Sequence, residues 1–331
     1  MRPAVAGWAY RGDTQRRRNT HTETENEAMN EATKTKPLAL TYPERLLKDG
    51  GIESGLVIGI AGSDTQALRA ARRIHRDYRR KHGYTGARSN VLTAPASQPK
   101  TGKNDLPTYT LMLTPERGLP EEFRPGHRAL NLCPSATPAC AAGCLSAAGR
   151  GRFDKVQHAR ATLTGFMFAH PHSFGIELGR SIAKALSIES GAIALRLNCL
   201  TDIRWELIMP TGMRSLQAHG VTLYDYTAFN PRLRGSLPGY HLTFSAKEPE
   251  RTDDGYLGAL LASGRNVAMP FNTGKHRALP ETWNGFPVID GDLSDYRPDD
   301  PSGVVVGLRW KDSGDGSKAA AVASGFCRVA A

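Results

Sequence analysis

Cysteine is scarce in this chain, with 5 residues in 331 and therefore an odd number. A secreted domain stapled by disulfides carries more cysteines, in pairs, so that class is excluded. No apolar run is long enough to cross a bilayer, and no hydrophobic secretory core follows the basic N-terminus. The expected location is therefore cytoplasmic. Also missing are a helix-turn-helix signature, an aromatic ribonucleoprotein motif and Cys/His finger spacing. No Cys, Gly or aromatic spacing recurs with the fixed period of a solenoid. "TGKNDL" puts Gly beside Lys without the spacing of a P-loop. Acidic residues are in deficit, 32 against 43 Lys and Arg, for a net charge of +11. That excess favours a polyanionic partner, either nucleic acid or a phosphorylated substrate.

What is present describes a globular α/β protein. Hydrophobic residues make up 40% of the chain, enough to bury a sizeable core. Residues 1–36 are nearly free of aliphatic side chains after Val5, which predicts a disordered tail. Met29 is an alternative start to Met1. Residues 37–104 read as a small basic α/β extension. Within it "GLVIGIAGSDTQALRAARRIHRDYRRKHG" predicts a short strand, a turn, and a helix capped by Ser63 or Asp64. Ala67, Ala70, Ala71, Ile74 and Tyr78 form that helix's apolar stripe. Arg72, Arg73, Arg76, Arg79, Arg80 and Lys81 form an outer face for solvent or a nucleic-acid backbone.

Residues 105–331 alternate between strands and helices. "YTLMLTP" and "ALNLC" predict strands, and "VQHARATLTGFMFAHP" and "FGIELGRSIAKALSIES" have helical apolar spacing. Six further strands follow: "AIALRLNCLTD", "VTLYDYTAF", "YHLTFSAKE", "NVAMPFN", "FPVIDGD" and "GVVVGLRWK". Each begins apolar and ends polar, in Asn198, Thr201 and Asp202; Asp225 and Thr227; Thr243 and Ser245; Asn272; Asp290 and Asp292; Arg309 and Lys311. Strand ends at a surface are polar in any case. In parallel α/β sheets, however, the carboxyl ends converge on one rim where chemistry is assembled.

Three of the five thiols fall in "LNLCPSATPACAAGCL": Cys133, Cys140 and Cys144. Inert core cysteines fit a turn-rich Ala/Gly/Pro segment poorly. Structural zinc needs a fourth ligand, from His127, His158, His170, His172 or Cys199. A 4Fe-4S cluster held by three thiolates leaves one iron open to a cofactor. Arg150 and Arg152, just beyond, would favour the thiolate form or bind phosphate.

The other candidates each have a plain structural reading. Asp202 either moves a proton or caps the helix containing Trp205 and Glu206. Asp225 points opposite to Tyr224 and Tyr226, so only one set faces the interior, and an inward Asp225 needs Arg196 or Arg309 as partner. His241 and Ser245 share a face of their strand. Asp290 and Asp292 bind a ribose, a cation or simply shape a turn. Arg309 and Lys311 could meet phosphate or carboxylate. His170 and His172 are explained as well by a loop as by a metal.

Taken in order, "LNLCPSATPACAAGCL", "GRGRFDKVQHAR", "LRLNCLTDIRWE", "LYDYTAFN", "YHLTFSAKE", "LPETWNGFPVIDGD" and "GVVVGLRWK" resemble the bacteriophage family named for gene product 88. The likeness runs from about Tyr109 to the C-terminus, and it implies that the three-thiol motif belongs to the domain. One departure is Asn198-Cys199-Leu200-Thr201-Asp202, where relatives read Asn-Gly-Thr-Ser-Asp; Cys199 is thus not expected to be a ligand across the family.

A more distant likeness is to radical S-adenosylmethionine barrels. Together these imply a partial parallel βα barrel and a phage-encoded enzyme in the host cytoplasm. The enzyme would use a 4Fe-4S cluster on Cys133, Cys140 and Cys144 with S-adenosylmethionine, and act on a nucleotide or nucleic-acid substrate. Asp202, Asp225 and Asp290 are the expected catalytic carboxylates; Asn198, Thr201, Ser245 and Arg309 are the expected cofactor contacts. The alternative is a non-enzymatic nucleic-acid-binding protein with structural zinc.

Overall fold

The computed structural model describes residues 38–84, 90–98, 101–115, 118–147, 149–311 and 317–330. The tail expected over residues 1–36 and the alternative start at Met29 lie outside the described residues. Nine strands form one sheet: β1 Leu92–Thr93, β2 Thr108–Leu111, β3 Ile193–Arg196, β4 Val221–Thr227, β5 Tyr240–Ser245, β6 Val267–Phe271, β7 Thr282–Trp283, β8 Phe286–Asp290 and β9 Val305–Arg309. Their spatial order is β1-β2-β3-β4-β5-β6-β9-β8-β7. Strands β2 to β6, β9 and β8 are parallel, while β1 and β7 pair antiparallel at the two edges. β9 inserts between β6 and β8, and the sheet stays open.

Register divides the sheet into two unlike faces. Leu195, Leu223, Phe244, Val267 and Val305 lie on one face, buried against the helices. The other face carries Thr110, Arg196, Tyr224, Tyr226, Thr243 and Ser245. Residues 294–297 lie against that polar face. There Asp295 meets Arg196 at 2.5 Å, and Tyr296 packs edge-on to Tyr224.

The helices are α1 Tyr42–Asp49, α2 Ile52–Ala61, α3 Thr65–Lys81, α4 Pro138–Ala142, α5 Asp154–Ala169, α6 Pro171–Ile188, α7 Trp205–Ile208, α8 Pro210–Ala218, α9 Asp254–Ala262 and α10 Ser317–Ala323. Two expected strands are corrected. "GLVIGI" is helical, within α2, because a short continuous apolar run suits a buried helix as well as a strand. Its glycines decide the matter. Gly55 and Gly59 on α2 face Gly175 and Gly179 on α6, and a Cβ at any of the four would collide with the opposing backbone carbonyl. Four-residue spacing puts each pair on one helix face, so the two backbones touch. "ALNLC" is irregular chain: it ends in a turn and has only the Asp202 N–H bonded to the Leu132 carbonyl, 2.8 Å, in place of a ladder.

Residues Leu40–Ala331 form one compact unit. A buried ion pair and a buried histidine–carboxylate contact tie the N-terminal helices into it. Thr41 and Glu44 form a reciprocal capping box at the start of α1, and Glu44 also binds Arg204 ahead of α7, with Oε2 2.6 Å from Nη2. On α3, His75 stacks on Phe166 and lies 3.6 Å from Glu177 of α6. Asp64, not Ser63, caps α3 by accepting the Ala67 N–H at 2.8 Å.

Candidate functional site at the strand ends

The thiol segment lies across the carboxyl ends of β3, β5 and β9. Cys133 Sγ donates to the Leu200 carbonyl beyond β3, at 3.5 Å. Beyond β5, Glu248 Oε1 accepts the Ala139 N–H at 3.1 Å, a negative charge at the first turn of α4, where helix-end N–H groups favour it. Thr137 caps the same helix through the Cys140 N–H. Gly143 sits on the indole of Trp310, which follows β9, so close that a Cβ would fall 2.6 Å from Cη2. Arg160 of α5 fixes the chain after the third thiol by donating to the Ser146 carbonyl at 2.9 Å.

Both Cys144 and Cys199 act electrostatically on Arg160, and Cys140 feels Cys144. Burial pushes the Cys140 thiol up to about 11, with Cys144 and Glu248 adding to the shift. Burial likewise raises Cys199, against the pull of Arg196. Both are therefore neutral thiols at pH 7. Among the described residues no group of three or more His, Cys, Asp or Glu side chains is arranged to hold a metal ion. As placed, Cys133, Cys140 and Cys144 are not a ligand set.

The four histidines weighed as a fourth zinc ligand are engaged elsewhere. His127 pairs with Glu121, His158 with the His82 carbonyl, His172 with Ser54 and the Gly51 carbonyl, and His170 packs edge-on to Tyr78. Cys199 shares a neighbour, Arg160, with Cys144 of the motif.

Of the carboxylates named from sequence, Asp202 and Asp225 are linked through Arg234, which lies over the ring of Tyr240, whereas Asp290 sits apart with Arg309. Asp202 accepts the Ala228 N–H and pairs with Arg234, which also binds Glu206; no side chain caps α7. Asp225 accepts from the Leu197 and Asn198 N–H groups and from the Tyr240 hydroxyl, so it closes the end of the β3–β4 ladder on the side of the sheet opposite Tyr224 and Tyr226. Burial lifts its carboxyl to about 7 despite Arg196 and those donors. The two tyrosines face Arg196, whose guanidinium lies over both rings.

Asp290 and Asp292 both bind Arg309, which holds Asp290 below its usual range, and Lys311 is 3.8 Å from Asp292. Asn198 and Thr201 are consumed by a local knot in which Asn198 Oδ1 accepts from Thr201, the Ile203 N–H and Trp205 Nε1. Ser245 ends β5 on the polar face, directly before the rim.

The residues closest to the thiol segment were not singled out by sequence. Glu248, Arg160 and Trp310 touch it, Lys247 acts electrostatically on Cys140, and Arg328 donates to the Lys247 carbonyl. Burial lowers the Lys247 ammonium, which feels Asp202 and Cys140 in turn. Several of these residues have buried polar atoms without a hydrogen-bond partner among the described residues: Glu248 Oε2, Arg160 Nε, Trp310 Nε1, and Arg328 Nε and Nη1. The only sequence signal was that "AKE" follows a strand, as polar residues do in most loops.

A family model described as Gene product 88 matches residues 85–330. No curated protein matches the chain, and no solved structure does.

Proposed function

The chain belongs to the gene product 88 family, and from that premise we propose a phage-encoded enzyme whose reaction site is the strand-end rim beneath the thiol segment. One observation carries the reading: buried polar atoms of Glu248, Arg160 and Trp310, and of Arg328 beside Lys247, have no partner among the described residues at a segment spanning three strand ends. Leaving a buried polar group unpaired costs about 1–3 kcal/mol, so such a cluster favours a bound polar group. Lys247, half-buried and beside Asp202, can release or take up a proton there. A nucleotide or nucleic-acid substrate suits the net charge of +11.

A 4Fe-4S cluster with S-adenosylmethionine in a partial βα barrel remains the cofactor reading, resting on the distant likeness to radical S-adenosylmethionine enzymes. The thiols as placed do not fit it, because among the described residues they are not gathered about one centre. Metal and sulfide analysis after anaerobic purification decides the question. About four iron and four sulfide per chain support the cluster. Stoichiometric zinc in a colourless protein supports the structural-zinc alternative and overturns the cluster, and a metal-free protein overturns both.

A further inference from the structure

Helix α3 presents a face that neither the sheet nor the rim uses. Ala71 and His75 are buried, and Ile74 and Tyr78 pack against the core. On the opposite side Arg69, Arg72, Arg73, Arg76 and Arg80 are all exposed. At 100° per residue these five fall within an arc of about 100°, and at 1.5 Å per residue they form a stripe about 16 Å long. Among the described residues only Arg76 of the five has a carboxylate within ion-pair reach, Asp77 at 3.6 Å. Lys81 flanks the stripe, also exposed.

Holding five like charges in one row raises their mutual repulsion, which solvent and salt screen only in part. The cations are arginines, whose forked donors fit phosphate oxygens in pairs. The exposed positions of α3 carry only Arg, Lys, Gln, Thr and Asp, with no apolar side chain to enter a lipid surface. A DNA duplex presents one phosphate charge per about 1.7 Å of its axis, so a 16 Å stripe spans enough phosphates to engage every arginine.

We infer that α3 is a docking surface for the phosphate backbone of double-stranded DNA, independent of base sequence and distinct from the rim. Its position outside the matched residues 85–330 makes it an attachment to the family domain, fixed there by the glycine contact of α2 with α6 and by the contact of His75 with Glu177. The stripe would hold the rim near a nucleic acid without taking part in the chemistry.

The test is fluorescence anisotropy of the full chain with a labelled duplex of about 20 base pairs across a salt series, where five neutralised phosphates give a log–log slope of about −4.5. Raising salt fourfold then weakens binding on the order of 500-fold. A variant with Arg69, Arg72, Arg73, Arg76 and Arg80 changed to Gln should bind with a nearly flat salt dependence. A control with Lys184, Arg214, Arg232, Arg251 and Lys275 changed to Gln, all exposed elsewhere, should keep the wild-type slope. Circular dichroism confirms folding; if the fivefold variant fails it, the pair Arg72→Gln and Arg76→Gln should still lower the slope by about 2. Equal slopes for the α3 variants and wild type overturn the inference. So does α3-dependent binding to phosphatidylserine vesicles that is tighter than to the duplex. Either failure leaves the rim reading standing, because the buried polar groups at the strand ends do not involve α3.

Discussion

Asp225 shows how a residue's type and its surroundings set its behaviour separately. A carboxylate at a strand end suggested proton transfer. The structure gives it three donors and complete burial, and burial wins, lifting its carboxyl to about 7. The folded state therefore holds a proton that the unfolded chain has released above about pH 4. Stability contributed by this group should fall as pH rises from about 4 to 7, by up to about 1.4 kcal/mol per pH unit. Asp225→Asn should remove that slope, and unfolding midpoints in urea across this range would show it; parallel curves for wild type and variant would place the titration elsewhere. The buried thiols give a second expectation. Cys140 and Cys199 should react slowly with iodoacetamide at pH 7 in chelator-treated native protein and fully after denaturation, read by mass spectrometry of the modified peptides. Rapid native alkylation of Cys140 would contradict a thiol held near 11.

Among the elements, α2 and α6 depend most on single atoms. Gly55, Gly59, Gly175 and Gly179 let two helices meet backbone to backbone. Alanine at any of them should cost about 1–3 kcal/mol or more, since carbonyl oxygens cannot give way as a flexible side chain does. Gly258 of α9 is the control, with nothing nearer than 3.7 Å to an added Cβ. Alanine there should be neutral or stabilise by up to about 1 kcal/mol through helix propensity. Thermal unfolding of the five variants checks both signs. The same contact explains why "GLVIGI" read as a strand: its apolar run was visible, whereas the partner that gives its glycines a purpose lies 120 residues along the chain, on α6. The long helices α5 and α6 and the seven parallel strands were legible because each carries its own period. "ALNLC" was not, because the chain there turns to meet Asp202 and no neighbour strand offers a ladder.

The whole molecule is held at its N-terminal layer by carboxylates. Burial alone would raise Glu44 and Glu177, but Arg204 and the Thr41 N–H for the first, and His75 and Arg180 for the second, bring both below the usual range. A depressed carboxyl contributes stability above its unfolded value, near 4.3, and loses it as pH falls through the folded value. Acidification below about pH 4.3 should therefore release α1–α3 before the sheet, seen as loss of amide exchange protection in residues 42–81 while β3–β6 remain protected. Loss of the sheet first would refute this. Likewise, a chain beginning at residue 85, where the family match starts, should expose the α2-facing side of α6 and aggregate, as light scattering would report.

The sequence by itself determined the α/β class, the parallel strands with polar ends, the grouping of three thiols and the positive charge, because these depend on residue type and local period. Tertiary structure alone decided what those groups touch: which side of β4 faces the helices, that Asn198 and Thr201 bind each other, and that Lys247 and Glu248 lie under the thiols. Such contacts join residues far apart in the chain. Hydrogen bonding and burial act through distance in space, which no local pattern of residues encodes.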